Sequence, residues 1–291
     1  MIMGHVGFGQ IFDKYIHAFH MPMWFIISGY FINLNRPFKS YLHSKLKVLI
    51  IPYIIFSLSY EIIWSILGHS RWEALVWPNS LLIPLNGALW FLPAMFFADI
   101  IGYGLLKGTK RNYFTFILTL IVVSFVGTSV FCKLPFSFDS GLVGVSLLMT
   151  GYALREKGLP HIRGCLLYIT ILLSIILVFI NGYINVRLNL YAFSALFYLN
   201  AILSTIVYWN IARIITVKYE HRLSFFYEVG RYSLLYVCVN EFLIVLLSKF
   251  SFGDLVGKVA SRLFEVIIII VICFLINRVL LNSRLKFLIG K

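Results

Sequence analysis

The feature that most limits how this chain can fold is its succession of long apolar runs, of which VIIIIVICFL at residues 266–275 is the purest. Hydrocarbon offers no hydrogen-bond partner to the backbone, so a run of about 20 such residues crosses lipid as a helix. Hydropathy places spans near residues 15–34, 48–67, 86–106, 113–131, 138–154, 164–181, 190–212, 232–248 and 264–281. The expected fold is therefore all-α, a polytopic transmembrane helix bundle with nine full spans. The connections are short and no linker or internal period interrupts them, so 1–291 reads as a single integral-membrane domain. A soluble fold is excluded by composition, because only 12% of the residues are charged and 60% are hydrophobic, against about 25% charged in soluble domains.

A net charge of +14 raises the question of nucleic acid, but the basic residues lie between the spans rather than in one patch. The segments 35–47, 107–112, 155–163, 213–231 and 278–291 hold 18 of the 25 Lys and Arg, and the alternating segments hold the other 7. Basic connections stay on the cytoplasmic side. This predicts a cytoplasmic C-terminus and places His5, His17 and His20 toward the outer face. Cys132, Cys165, Cys238 and Cys273 are scattered without CxxC spacing, which argues against a disulfide framework or a metal site.

Ionisable or strongly polar groups within a span are costly and therefore mark candidate sites. His17, His20, Trp24 and Ser28 recur at steps of three, four and four, which aligns them on one helix face. Pro22 is expected to bend that helix and free a carbonyl for a ring N–H. In NGALWFLPAMFFAD, Asn86, Trp90, Pro93 and Phe97 share a face, while Asp99 lies on another with Phe91 and Met95. In GRYSLLYVCVNEFL, Ser233, Tyr236 and Asn240 align and Glu241 is adjacent. Glu61 has only Ser57, Ser59 and Tyr60 as polar neighbours, and Asp139 opens its helix where the macrodipole favours a carboxylate. Asp13 and the three early histidines do not form a metal motif, since their donors are split between two segments and no HExxH is present. The residues by themselves define a polytopic protein with a polar, histidine-bearing cavity toward its outer face. An enzyme and a transporter both meet that description.

Three motifs together resemble the membrane acyltransferase 3 family: MGHVGF followed by FHMPMWFIISGYFI, then GALWFLPAMFFAD, then VGRYSLLYVCVNEFL. With LPFSFDSGLVGVSLLMTGYAL between them, the likeness runs through essentially the whole chain. It implies a ten-helix enzyme, similar to sugar O-acetyltransferases such as fucose 4-O-acetylases. Such an enzyme moves an acetyl or other short acyl group from acyl-CoA to a sugar hydroxyl of a cell-surface polysaccharide or its lipid-linked precursor. By motif position His5 is the expected catalytic residue and His20 its companion, with Asn86, Trp90, Asp139, Asn240 and Glu241 expected to bind substrate. A neutral imidazole suits the removal of the hydroxyl proton, and His20 or a backbone N–H at the Pro22 bend is expected to stabilise the thioester oxygen. No metal and no permanently bound cofactor is implied; acetyl-CoA is the donor substrate, and the partners are the glycan or lipid-linked sugar acceptor and the bilayer of the cell inner membrane, with no nucleic acid. The sequence departs from the family pattern at Asn240, where a histidine is common, and in MIMGHVGF, which reads as the end of a first helix. The basic residue that the family places eleven positions before its histidine would precede Met1, so an N-terminally truncated chain is expected. A small-solute or lipid-linked glycan transporter and an inactive truncated relative are the alternatives.

Overall fold

The computed structural model describes residues 2–68, 72, 87–109, 112–129, 134–219, 222–247 and 258–283. Among these, the short helix α1 (Ile2–Val6) leads through Gly7 and Gly9 into α2 (Gln10–Tyr30). α3 (Phe38–Lys45) passes through a π-helical turn, Leu46–Ile50, into α4 (Ile51–Ile66), and a 3₁₀ turn, Gly87–Trp90, opens α5 (Phe91–Thr109). Then follow α6 (Tyr113–Ser129), α7 (Phe138–Lys157), α8 (Cys165–Asn181), a 3₁₀ turn at Val186–Leu188, and α9 (Ser194–Tyr219). The chain closes with α10 (Ser224–Arg231), α11 (Ser233–Leu247) and α12 (Lys258–Leu281).

Each expected span coincides with a helix, and the described residues are all-helical apart from turns. Among the described residues, four stretches are long and apolar enough by themselves to cross a membrane: Phe38–Ile66, Gly87–Thr109, Ser194–Tyr219 and Val259–Leu281. α10 and α11 would together make a fifth but are bent by 82°, and α6 and α8 are shorter apolar helices of 17 residues each. α2 and α7 fall below that hydropathy for a physical reason: both carry polar residues and lie inside the bundle. Lipid-type surface belongs instead to α6 and α8, where Ile121, Phe125, Leu172 and Ile180 stand exposed.

α7 is the axis of the molecule, packed against α2, α5 and α6. A Cβ on Gly29 would fall 1.8 Å from the Leu148 carbonyl oxygen, and one on Gly151 would fall 1.9 Å from that of Ile26. The α2 and α7 backbones thus touch, the close approach that small residues permit between membrane helices. Pro22 leaves α2 unbroken from Gln10 to Tyr30. Residues that the charge count assigns to one side meet at one end of the bundle: Tyr103 Oη donates to the Arg36 carbonyl at 2.5 Å, Arg155 Nη1 to the Ile32 carbonyl at 2.5 Å, and Lys157 Nζ to Tyr113 Oη at 2.7 Å. Lys45 marks this end, and His5 marks the opposite one.

Candidate active site

At the Lys45 end, α2, α3, α5 and α11 enclose a cavity of about 460 Å³. Its walls are apolar, with Trp24, Phe91, Met95 and Val237, and its mouth carries Arg36 and Lys45. Asp99 has no exposed surface. Lys45 Nζ lies 2.7 Å from its Oδ2, while Ser28 and Tyr41 donate to Oδ1 at 2.9 and 3.1 Å. A carboxylate so deep is tolerable only with its charge balanced in this way.

At the His5 end, α1 seats His5 against α2, α11 and α12. A Cβ on Gly4 would lie 3.1 Å from Ile16 Cγ2 and 3.8 Å from His20 Nε2, so the glycine before His5 lets α1 lie directly on the second histidine. The His17 and His20 rings meet edge to face with centroids 5.3 Å apart. Each bonds the carbonyl one turn back through Nδ1, His17 to Asp13 at 2.8 Å and His20 to Ile16 at 2.7 Å. A carbonyl only accepts, so Nδ1 carries the proton, and in the neutral ring Nε2 is left as an acceptor. The carbonyl that Pro22 frees, that of Ala18, is not the one used. This geometry suits His20 to receiving a proton, rather than to the expected donation toward an oxyanion. Asp13 accepts from the Phe8 N–H at 3.0 Å, which closes the turn from α1 into α2. An adjacent groove of about 430 Å³ is lined by Gln10, Lys14, His17 and Tyr183.

Beside His5 the 3₁₀ turn at Gly87, the connection before α9 and the middle of α11 converge. A Cβ on Gly87 would fall 2.7 Å from Arg187 Nη1 and 2.8 Å from Glu241 Oε1, so the guanidinium and the carboxylate face each other across a space that only glycine leaves open. The Ala88 backbone also bonds Glu241. Burial works against the charge of Arg187, and Glu241 works for it. Glu241 Oε2 is shut off from solvent and has no hydrogen-bond partner among the described residues, and the same holds for both polar atoms of Asn240, which has no exposed surface.

Of the residues singled out from the sequence, His5, His20 and Glu241 come together here. Asn240 is buried beside Glu241, and Trp90 lies buried in the 3₁₀ turn, its ring centroid 6.0 Å from that of Phe91. Asp139 is fully buried at the start of α7, where it acts on Tyr191. Glu61 is fully buried in α4, whose Tyr60 Oη donates to the Cys238 carbonyl at 2.6 Å. Asn86 lies outside the described residues. Sequence reasoning missed Arg187, counted only as a basic residue of its connection, and it set aside the Phe91–Met95–Asp99 face that lines the cavity. The intramembrane carboxylate was the available signal for that face.

The two features are four residues apart on three walls. His20 precedes Trp24 by four residues on α2, Gly87 precedes Phe91 by four, and Glu241 follows Val237 by four on α11. Four residues rise about 6 Å along α2 and α11 and about 8 Å through the 3₁₀ turn that holds Gly87. Apolar helices around a polar cluster at one end and a cavity with a charged mouth at the other define a multi-pass membrane protein that handles its substrates within its own bundle. The chain belongs to the acyltransferase 3 family, whose acyltransferase domain matches residues 1–278. It is an acyltransferase, with an acyl donor and an acceptor as its substrates. No curated protein and no solved structure matches it.

Proposed function

We propose that this acyltransferase takes an acetyl or other short acyl group from cytosolic acyl-CoA through the Lys45-end cavity and passes it to a sugar hydroxyl bound at the His5 end, on a cell-surface polysaccharide or its lipid-linked precursor. In this reading the chain has nine spans in the inner membrane, α1 stands for the family's first helix, and the Lys45 end and the C-terminus face the cytoplasm. The observation that carries the reading is the four-residue separation on three walls. An apolar channel with Arg36 and Lys45 at its mouth suits a thioester on a phosphate-bearing carrier, and its inner end brings the thioester beside the histidines. His5 takes the hydroxyl proton as the oxygen attacks the carbonyl carbon. The new O–C bond forms, the C–S bond breaks, and the proton passes to the departing thiolate. His20 Nε2, an acceptor, orients the acceptor sugar, and Asn240 and Glu241 supply the polar contacts that vicinal hydroxyls require.

Membranes containing the protein, incubated with radiolabelled acetyl-CoA and envelope glycan, test this. Hydroxylamine-labile label on the glycan, lost in His5→Ala, is the expected result. A transporter leaves no acetyl ester, and that outcome would overturn the reading.

A further inference from the structure

The connection between α8 and α9 is bound far more closely than a surface loop needs to be. The backbone amides of Asn185 and Leu190 each donate to the other's carbonyl at 3.0 Å, and Asn185 Oδ1 accepts from the Leu188 N–H at 3.2 Å. Asn189 turns the chain with φ 50°, and Tyr191 Oη donates to its side chain at 3.2 Å. Asn181 Oδ1 accepts from the Phe193 N–H at 2.9 Å, tying the two ends of the connection together. From α7, Ser140 Oγ donates to the Val186 carbonyl at 3.0 Å, while Ile184 and Val186 are buried beneath. Together these contacts hold one side chain, that of Arg187, pointing into the bundle at Gly87 and Glu241, close enough for its charge to act on His5.

Within the proposed function, on which this inference rests, the reaction places a negative charge on the thioester oxygen when the sugar oxygen attacks. That charge needs a fixed donor. His20 is poorly suited, since its neutral ring presents an acceptor at Nε2. Asn240 offers a neutral amide, whereas a hydrogen bond to a charged donor is about twice as strong. A guanidinium carries five N–H donors and a fixed positive charge, and Arg187 brings Nη1 against Gly87 from the side opposite Glu241 Oε1. Gly87, against which Arg187 lies, is four residues from the cavity wall at Phe91. We infer that Arg187 is a catalytic residue that donates to the oxyanion of the tetrahedral intermediate, and that the bound connection and the bare α-carbon of Gly87 exist to hold its guanidinium there beside Glu241.

The experiment compares purified wild type with Arg187→Gln, Arg187→Lys and Asn240→Ala, measuring acetyl transfer at varied acetyl-CoA and the melting temperature of each. Arg187→Gln should lower kcat by about 10²–10³-fold, with KM for acetyl-CoA changed by no more than about twofold. Arg187→Lys should recover much of the loss because it restores the charge, though not the fork. Wild-type kcat in Arg187→Gln overturns the inference while leaving the function intact. So does an equal loss in Gln and Lys accompanied by a lower melting temperature, which marks a structural role, and so does a loss of this size confined to Asn240→Ala. Absence of acetyl ester from wild type overturns the function and this inference together.

Discussion

At the Lys45 end, Asp99 is buried with Lys45 Nζ paired to its Oδ2 and with Ser28 and Tyr41 donating to its Oδ1; at the His5 end, Glu241 Oε2 and both polar atoms of Asn240 are buried without hydrogen-bond partners among the described residues. Both ends bring ionisable groups into an apolar bundle, but at the first the carboxylate oxygen without a hydrogen bond is set against a cation, whereas at the second both polar atoms of a neutral amide are buried without a partner among the described residues. A charge-balanced carboxylate stabilises the walls of a cavity. Buried groups left unsatisfied cost free energy, and a site that binds a hydroxyl-rich ligand recovers that cost on binding. In the proposed function, the contrast separates a compartment that holds an apolar, phosphate-bearing donor from one that holds a polar acceptor and moves protons.

α2 lines both compartments and is seated by backbone contact on α7, so the strongest perturbation should abolish the difference between them. Gly29→Val would drive side-chain atoms into the Leu148 carbonyl, and overpacking against backbone cannot be relieved by a rotamer change. Loss of the monodisperse peak in detergent size-exclusion chromatography is expected. Within a folded protein, the His5 end should dominate chemistry. His5→Ala and His20→Ala are each expected to reduce kcat by about 10²–10⁴-fold, the range for a positioned acid or base, while binding of acetyl-CoA measured by calorimetry persists. If either variant loses donor binding to the same degree as activity, the two ends are not functionally separate.

Charge balance at the other end should appear as stability. Lys45→Ala strands the buried Asp99 carboxylate and is expected to cost about 3 kcal/mol, read by chemical unfolding. Replacing both, as Lys45→Met with Asp99→Leu, should regain most of it, since a buried pair exchanged for apolar groups is often neutral. A double variant as unstable as the single one would show that Asp99 does more than balance charge. The smallest effect is reserved for the mouth. Arg36→Ala should raise KM for acetyl-CoA about three- to tenfold with kcat unchanged, the mark of binding lost equally from ground and transition states.

The helices were legible in the sequence because hydropathy and the requirement for internally satisfied backbone leave a membrane segment little choice. His5 and His20 were legible through the GHV and FHMP motifs, and Glu241 through its depth in a span. Two things were not. The cavity-lining face of α5 depends on how the helix is rotated against α7, where Gly141 lies against the Ala94 backbone and Gly102 against the Leu148 side chain, and hydropathy is nearly blind to rotation when both faces are apolar. Arg187 sits in a connection, and nothing in NGYINVRLNLY announces that a two-residue bridge, an Asn cap and a Ser140 hydrogen bond turn its side chain inward. The tautomer of His20 likewise follows from which carbonyl its ring meets, and the sequence suggested the one freed by Pro22 rather than that of Ile16.

In the proposed reaction two substrates meet from opposite ends. Sealed vesicles of known orientation, loaded with radiolabelled acetyl-CoA on the side that Lys45 and Arg36 face and supplied with acceptor glycan only on the other side, test this directly. Acetyl ester on the glycan outside with no acetyl-CoA released, and loss of that label in His20→Ala, are the expected results. Label that forms only when donor and acceptor share a compartment would contradict a meeting from opposite ends.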